Sequence, residues 1–180
     1  MTGSLYIAIA CLLLLFFTAA CSNPVQNSGG ESATRPIASP TAQKITSESV
    51  VKVATPPVEV SAGGAAEAIV RVTIQIGYHV NANPPTFSYL KATQLDISPG
   101  EGISAARVSY PMPVTKKFAF AEKPLAVYEG ETEIKATIKA DATASKGEHS
   151  VAAQLRVQAC DDQVCYPPGQ IELRLPVMVK

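Results

Sequence analysis

Four runs of this chain alternate between apolar and polar side chains, and this period of two residues limits the fold more than any other feature. The alternating runs span residues 66–76, 131–140, 150–158 and 171–179. A period of two is typical of a strand that buries one face and exposes the other. No stretch of the chain shows a convincing 3.6-residue period of the kind that marks a helix. The sequence therefore predicts a domain built from strands.

The alternation also predicts which side chains form the core. The inward positions are Val70, Val72, Ile74, Ile76, Ile134, Ala136, Ile138, Ala140, Val151, Ala153, Leu155, Val157, Ile171, Leu173, Leu175, Val177 and Val179. Further, weaker strand candidates span residues 50–53, 58–60, 95–98, 104–109 and 125–128. Turn signals rich in Pro, Gly, Asn and Ser separate these segments. Many short strands with turns between them predict an all-β, antiparallel β-sandwich.

The first 47 residues predict export and attachment to a membrane. Residues 5–20 are almost wholly apolar, and a run of about 16 residues suits a signal peptide better than a membrane span. Small residues precede Cys21, as in a bacterial lipobox whose cysteine is lipidated. We therefore expect a lipoprotein signal peptide at 1–20, a flexible tether at 21–47 and a folded domain at 48–180. An uncleaved signal anchor is the alternative.

The expected location is the periplasm-facing side of a bacterial membrane. Ser22, rather than an aspartate, follows Cys21 and favours sorting to the outer membrane. Lysine plus arginine and aspartate plus glutamate number 15 each, so the net charge is zero and no basic block predicts binding to nucleic acid. The sequence shows no Ser/His/Asp grouping, no phosphate-binding glycine loop and no zinc-type cysteine spacing. No metal or other cofactor is predicted.

Cys160 and Cys165 are the two cysteines of the predicted domain, since Cys11 lies in the leader and Cys21 is the predicted lipid acceptor. A disulfide persists in an exported protein, but one that closes so short a loop adds only about 2 kcal/mol of stability. This favours a pair that opens and closes, with a plain structural clip as the alternative. Cys160 continues an outward-facing series, so the disulfide is predicted at a surface or sheet edge, with the cysteines as an opposed non-hydrogen-bonded pair.

Three blocks of the sequence resemble a known family. Residues 160–168 read CDDQVCYPP, residues 77–85 read GYHVNANPP and residues 125–130 read LAVYEG. The first is similar to the active-site hairpin of the N-terminal periplasmic domain of the thiol:disulfide interchange protein DsbD. The second resembles that family's Gly-aromatic-His-x-Asn-x-Asn-Pro block, and the third its cysteine-capping segment. Over residues 48–180, the resemblance implies an immunoglobulin-like sandwich.

The resemblance also implies an electron relay. The domain would accept electrons from a thioredoxin-like donor or a membrane electron carrier and pass them to oxidised periplasmic thiol proteins. Cys165 would form the mixed disulfide with the partner, and Cys160 would resolve it. The cysteine loop is one residue shorter than in the best-known members. A chain without the family's membrane and thioredoxin-like parts is expected to act as a detached module that needs a separate reductant.

Five neighbouring residues receive expected roles at this site. Val127, Tyr128 and Tyr166 are expected to shield the sulfurs until a partner displaces them. Asp161 and Asp162 lie beside Cys160, and their negative charge is expected to disfavour its thiolate. For the two aspartates, the alternative is a plain role as solvated turn residues.

Two further questions stay open at this stage. His79 is either a metal ligand, for example to copper together with two thiolates, or a structural histidine that orders the Asn-Pro-Pro turn; the structural role is favoured. A function of another class is a non-catalytic immunoglobulin-like binding lipoprotein, in which the disulfide only rigidifies a partner-binding hairpin.

Overall fold

The computed structural model describes residues 44–180, which lie in one compact unit of twelve strands and one short 3-10 helix at Glu48–Val50. The strands are β1 Val51–Ala54, β2 Val58–Val60, β3 Ala65–Ile74, β4 His79–Asn81, β5 Gln94–Ile97, β6 Ile103–Ser109, β7 Val114–Lys116, β8 Leu125–Tyr128, β9 Glu131–Ala140, β10 Gly147–Val157, β11 Ala159–Cys160 and β12 Gly169–Val179. Among these residues, no helix is long and apolar enough to cross a membrane. The predicted signal peptide, Cys21 and most of the predicted tether lie outside the described residues.

The strands form three sheets of four strands each. The first sheet has the order β1-β3-β9-β6, the second β2-β12-β10-β5 and the third β11-β4-β8-β7. Neighbouring strands are antiparallel, except that β2 runs parallel to β12. Each long strand corresponds to one of the four alternating runs of the sequence.

The apolar faces of the first and second sheets meet in one core, to which the third sheet also contributes. Val70, Ile134 and Ile138 from the first sheet and Leu155 from the second are fully buried. Burying a side chain of this size contributes roughly 1.5–3 kcal/mol relative to leaving it in water. All predicted inward positions except Ile76 belong to this core or pack against it. The fold is the all-β, immunoglobulin-like antiparallel sandwich that the sequence predicts.

Ile76 is the exception, with 97% of its surface exposed. β3 ends at Ile74, and the amide of Tyr78 donates to the carbonyl of Gln75 at 3.0 Å, which closes a turn. Gly77 has a φ of 88° at the third position of this turn, a conformation that favours glycine. The prediction for Ile76 was wrong because the chain reverses before its side chain can face the core.

The third sheet positions the cysteines, and its two faces have different surroundings. Its inner face carries Val80, Tyr128 and Ala159, which belong to the main core. Because side chains alternate along a strand, the neighbours of these residues, His79 and Cys160 among them, lie on the outer face. A second apolar cluster covers that face; it consists of Leu90, Phe118, Leu125 and Val127, with Phe87 and Ala121 packed against it. We call this group the small cluster.

Candidate functional site

Cys160 and Cys165 face each other across a tight hairpin and are joined by a disulfide, with their Cα atoms 3.9 Å apart. The amide of Asp161 donates to the carbonyl of Val164 at 3.0 Å, and the amide of Tyr166 donates to that of Ala159 at 2.8 Å. These flanking bonds are the pattern of a non-hydrogen-bonded antiparallel pair, in which opposed side chains approach most closely. The two cysteines therefore pair as the sequence analysis predicted.

The two cysteines differ in accessibility. Cys160 is fully buried, whereas Cys165 is partly exposed. Cys160 lies on β11, an edge strand of the third sheet, and points away from the main core. The predicted position at a sheet edge and outside the main core is thus confirmed. Cys160 is nevertheless buried, because the outer face of its sheet is itself covered.

The ring of Phe118 covers His79, the residue that faces Cys160 on the neighbouring strand. It stacks on the imidazole of His79 with ring centroids 4.3 Å apart, and it is only 3% exposed. Phe120 stacks on Phe118 at 5.3 Å and remains 41% exposed. The Nζ atom of Lys116 lies 5.8 Å from the Phe118 ring centroid and 3.4 Å from Oε2 of Glu129. We call residues 117–121 the cover segment.

Sequence reasoning missed the cover segment. Of the three phenylalanines within residues 44–180, two stand in the Phe118-Ala119-Phe120 stretch. Two aromatic residues so close together, outside any alternating run, were the available signal. They could not be assigned to the cysteines, because the two segments lie far apart in the sequence and only the pairing of the third sheet brings them together.

Tyr128 and Val127 do not lie over the sulfurs as predicted. Tyr128 is on the inner face of the third sheet, and its hydroxyl accepts a hydrogen bond from the amide of Asn83 at 3.0 Å. Val127 is on the outer face within the small cluster, but β4 separates its strand from the strand of Cys160. The alternation of β8 explains the error, since neighbouring residues on a strand cannot both face the same site.

Tyr166 also points away from the disulfide. It follows Cys165 directly, and its ring packs against the main core, with its centroid 6.2 Å from that of Tyr78. Its hydroxyl donates to Oδ2 of Asp161 at 2.6 Å. This hydrogen bond raises the pKa of Tyr166 to about 12. The structure thus gives Tyr166 a role in holding the loop, and its role as a shield stays a prediction.

Asp161 organises the loop between the cysteines. Its Oδ1 atom accepts hydrogen bonds from the amides of Gln163 and Val164, both at 2.8 Å. The hydroxyl of Tyr166 and then these two amides lower the pKa of the Asp161 carboxyl. Asp162 is exposed, with Oδ1 at 3.9 Å from Nζ of Lys116. Asp161 therefore forms the turn, and the expected effect of its charge on the Cys160 thiolate stays a prediction.

His79 lies directly opposite Cys160 in the pairing of β4 with β11, and it is only 1% exposed. Its Nε2 atom donates to the carbonyl oxygen of Asp161 at 3.1 Å, whereas Nδ1 is buried and has no hydrogen-bond partner among the described residues. Burial is the main cause that lowers the pKa of His79, and the nearby charge of Lys116 acts in the same direction. The ring is therefore neutral at pH 7.

The role predicted for His79 in the Asn-Pro-Pro turn is wrong, since its ring bonds to the cysteine loop. The turn is held instead by Asn83, whose Nδ2 donates to the carbonyl of Thr93 at 3.0 Å. The bond between Asn83 and Pro84 is cis. Within residues 44–180, no group of three or more His, Cys, Asp or Glu side chains is arranged to hold a metal ion.

Ser47 fastens the base of the cysteine hairpin. Its hydroxyl donates to the carbonyl of Pro167 at 2.6 Å and accepts from the amide of Ala159 at 2.9 Å. It is fully buried, although the sequence analysis placed it at the end of the tether. The start of the folded domain is thus joined to the residues that flank both cysteines.

One family model matches most of the chain. The family model described as "Thiol:disulfide interchange protein DsbD, N-terminal" matches residues 46–175. The DsbD N-terminal domain of Neisseria meningitidis in its reduced form is a similar solved structure, with 19% identity, a TM-score of 0.47 and coverage of 71% of this chain and 86% of that chain. A comparison with curated proteins found no match.

Two other solved structures resemble the chain. For the N-terminal periplasmic domain of ScsB from Proteus mirabilis the identity is 17% and the TM-score 0.47, with 69% of this chain and 44% of that chain covered. For CaCohA2 from Clostridium acetobutylicum the identity is 10% and the TM-score 0.39, with 72% and 90% covered. The family match spans the strands of all three sheets and the cysteine hairpin, and the chain therefore belongs to the family of N-terminal domains of the thiol:disulfide interchange protein DsbD.

Proposed function

We propose that this thiol:disulfide interchange domain relays electrons through Cys160 and Cys165, from a thioredoxin-like donor or a membrane electron carrier to oxidised periplasmic thiol proteins. The observation that carries the proposal is the asymmetry of the disulfide: Cys165 is partly exposed, whereas Cys160 is buried beside His79. A structural clip has no need of one accessible and one protected cysteine. An exchange pair uses the accessible cysteine to form the mixed disulfide and the protected cysteine to resolve it.

The chemistry follows from this asymmetry. A donor thiolate attacks Sγ of Cys165, the disulfide breaks, and Cys160 leaves as a thiolate that takes up a proton. The donor's second thiol then attacks its own sulfur in the mixed disulfide and releases Cys165. The donor dithiol has become a disulfide, and the pair has gained two electrons and two protons. The reverse sequence, started by Cys165, reduces the disulfide of an oxidised partner.

The cover segment supports selectivity in this exchange. Phe118 and the residues packed with it exclude water from the side of Cys160. A small thiol gains nothing by displacing them, whereas a protein partner replaces the lost contacts with its own surface. The ring of Phe120 is partly exposed and offers apolar surface that a protein partner could contact.

Trapping the mixed disulfide tests the proposal. In Cys160→Ala the remaining Cys165 is expected to form a stable mixed disulfide with an oxidised thioredoxin-like protein, which peptide mass mapping locates at Cys165. The matched variant Cys165→Ala leaves the buried Cys160 and is expected to trap far less. Equal trapping by both variants, or trapping by neither, would overturn the assignment of roles.

The proposed place of action is the periplasmic side of a membrane, through a lipid on Cys21 and a tether that ends near Ser47. The support comes from the apolar run at 5–20 and the small residues before Cys21. Cells that express the full chain would be labelled with a fatty-acid analogue. Label on the chain that is lost in Cys21→Ala is expected, with fractionation to the outer membrane. Unlabelled protein would contradict the anchor.

A further inference from the structure

The imidazole of His79 carries a buried hydrogen-bond acceptor that no group within residues 44–180 satisfies in the disulfide form. Nε2 lies 3.1 Å from the carbonyl oxygen of Asp161, and because a carbonyl only accepts, Nε2 holds the ring hydrogen. In a neutral imidazole, Nδ1 then carries no hydrogen, and its lone pair can accept a hydrogen bond. Nδ1 is buried and has no partner among the described residues. Native proteins rarely leave a buried acceptor unpaired, so this atom needs an explanation.

Cys160 is the residue that faces His79 in the pairing of β4 with β11. His79 and Cys160 are opposed in register on neighbouring antiparallel strands, so their side chains lie on the same face with Cβ atoms about 4.5–5.5 Å apart. Nδ1 is two bonds from its Cβ, and Sγ is one bond from its own, so rotation of the Cys160 side chain can bring Sγ towards Nδ1 once the bond to Cys165 is broken. Phe118 covers the ring and Cys160 is fully buried, so water has little access to either atom.

We propose that Nδ1 of His79 accepts the hydrogen of the Cys160 thiol when the disulfide is reduced. The inference rests on the proposed function. In the disulfide form neither sulfur carries hydrogen, and Nδ1 stays unpaired. Reduction by a donor dithiol breaks the S–S bond, adds two electrons and leaves one proton on each sulfur. The proton on Cys160 lies between Sγ and Nδ1, so the acceptor is satisfied in the dithiol form alone.

This arrangement favours the reduced state and raises the reduction potential of the pair. When Cys160 attacks a mixed disulfide, Nδ1 is also placed to accept the proton that the thiol gives up. The charged groups that act on His79 are Lys116, Asp162 and Glu129. Burial and Lys116 keep the imidazole neutral, so the acceptor is present at pH 7 and is lost only when the ring is protonated in acid.

Two matched substitutions separate the two ring nitrogens. His79→Asn keeps a polar group near the position of Nδ1 and loses the donor to Asp161. His79→Gln keeps a donor near the position of Nε2 and loses the acceptor beside Cys160. The equilibrium constant for reduction by a reference dithiol is expected to fall about tenfold in His79→Gln, a decrease of about 30 mV in potential. His79→Asn is expected to stay close to the wild-type value.

The opposite order, with His79→Asn shifted and His79→Gln unchanged, would show that the ring acts only by anchoring the loop, and would overturn the inference. Nitrogen-15 NMR of the histidine ring gives a readout that does not depend on exchange activity. On reduction, the nitrogen-15 chemical shift of Nδ1 is expected to change in the direction that an accepted hydrogen bond produces, while Nε2 stays protonated. An Nδ1 resonance that is the same in both redox forms would also overturn the inference.

These outcomes are separable from failure of the proposed function. If wild-type Cys160–Cys165 exchanges with no dithiol partner, the relay itself fails, whatever the variants do. If the wild type exchanges normally and His79→Gln has the same potential as the wild type, the relay stands and only the role of Nδ1 fails.

Discussion

The ring of Phe118 lies 4.3 Å from the imidazole of His79, and His79 is the residue opposite Cys160 on the neighbouring strand. This stack joins the cover segment to the redox pair through a single side chain. Because Phe118 is part of the small cluster and Phe120 is partly exposed, the cover has one fixed end and one accessible end. The contribution of each end to the protection of the disulfide can therefore be tested separately.

Removal of the Phe118 ring is expected to speed reduction of the disulfide by a small thiol. Phe118→Ala opens the outer face of the third sheet, so reduced glutathione should reduce Cys160–Cys165 several-fold faster than in the wild type. The lost burial is expected to cost about 3–5 kcal/mol of stability, and Phe118→Leu provides a milder variant. The measurement is a time course of thiol alkylation.

Phe120→Ala is the matched control for this experiment, since its ring belongs to the same segment but is 41% exposed. It is expected to leave the rate with glutathione near the wild-type value. If Phe118→Leu and Phe118→Ala both react at the wild-type rate while folded, the cover segment does not protect the pair.

Tyr128 gives a second check on which residues protect the sulfurs. Its ring lies on the inner face of the third sheet, so Tyr128→Leu, which removes the ring, is expected to leave the rate of disulfide reduction unchanged in the folded protein. Tyr128→Phe keeps the ring and isolates the contribution of the hydroxyl. The variant loses the hydrogen bond from the amide of Asn83, at a cost of about 1 kcal/mol in unfolding free energy. Chemical denaturation measures the second effect. Faster reduction of folded Tyr128→Leu would return Tyr128 to the role of a shield.

Tyr166 and Asp161 form a hydrogen bond whose strength depends on pH. The pKa of Tyr166 is raised to about 12 by the Asp161 carboxylate, so this stabilisation is complete below about pH 10 and is lost as the pH rises through about 12. The pKa of Asp161 is lowered, so its contribution is present above pH 3.8 and is lost as the pH falls further.

Ultraviolet titration of the phenols tests this pair directly. In Asp161→Asn, the one tyrosine that titrates last in the wild type is expected to move down towards pH 10, because the carboxylate no longer favours its protonated form. Tyr166→Phe identifies that component by deleting it. An identical titration curve in the wild type and in Asp161→Asn would show that the hydrogen bond does not persist in solution.

Ser47 is expected to stabilise the domain through the base of the cysteine hairpin. Ser47→Ala leaves the amide of Ala159 and the carbonyl of Pro167 without their partner, and an unpaired buried group costs about 1–3 kcal/mol. Ser49→Ala is the matched control, because Ser49 bonds only locally and at the surface. Denaturant unfolding should show a clear loss for the first and a small one for the second. Equal losses would contradict the fastening role.

The alternation of the sequence predicted most of the main core, because a strand's side-chain period is a property of its backbone. Val70, Ile134 and Leu155 were placed on the correct face for this reason. Ile76 was not, since the alternation continued in the sequence beyond the point where a glycine turn ends the strand. Strand ends depend on the turn that follows, and periodicity does not report them.

The site was predicted less completely than the fold. The pairing of Cys160 with Cys165 follows from a short loop between strands, which is a local property. The burial of Cys160 and its contact partners are non-local, because the chain leaves the second sheet after β10 and pairs with β4 of the third sheet through β11. Only that pairing brings His79 and Phe118 to the disulfide.

The reduction potential of Cys160–Cys165, measured by thiol trapping in redox buffers, tests the central claim most directly. Structural disulfides usually lie below about −300 mV, and exchangeable ones lie higher. We predict a potential well above that limit, together with rapid reduction by a thioredoxin-like dithiol. A potential below the limit, or no exchange with any dithiol donor, would make the pair a structural clip and contradict the relay.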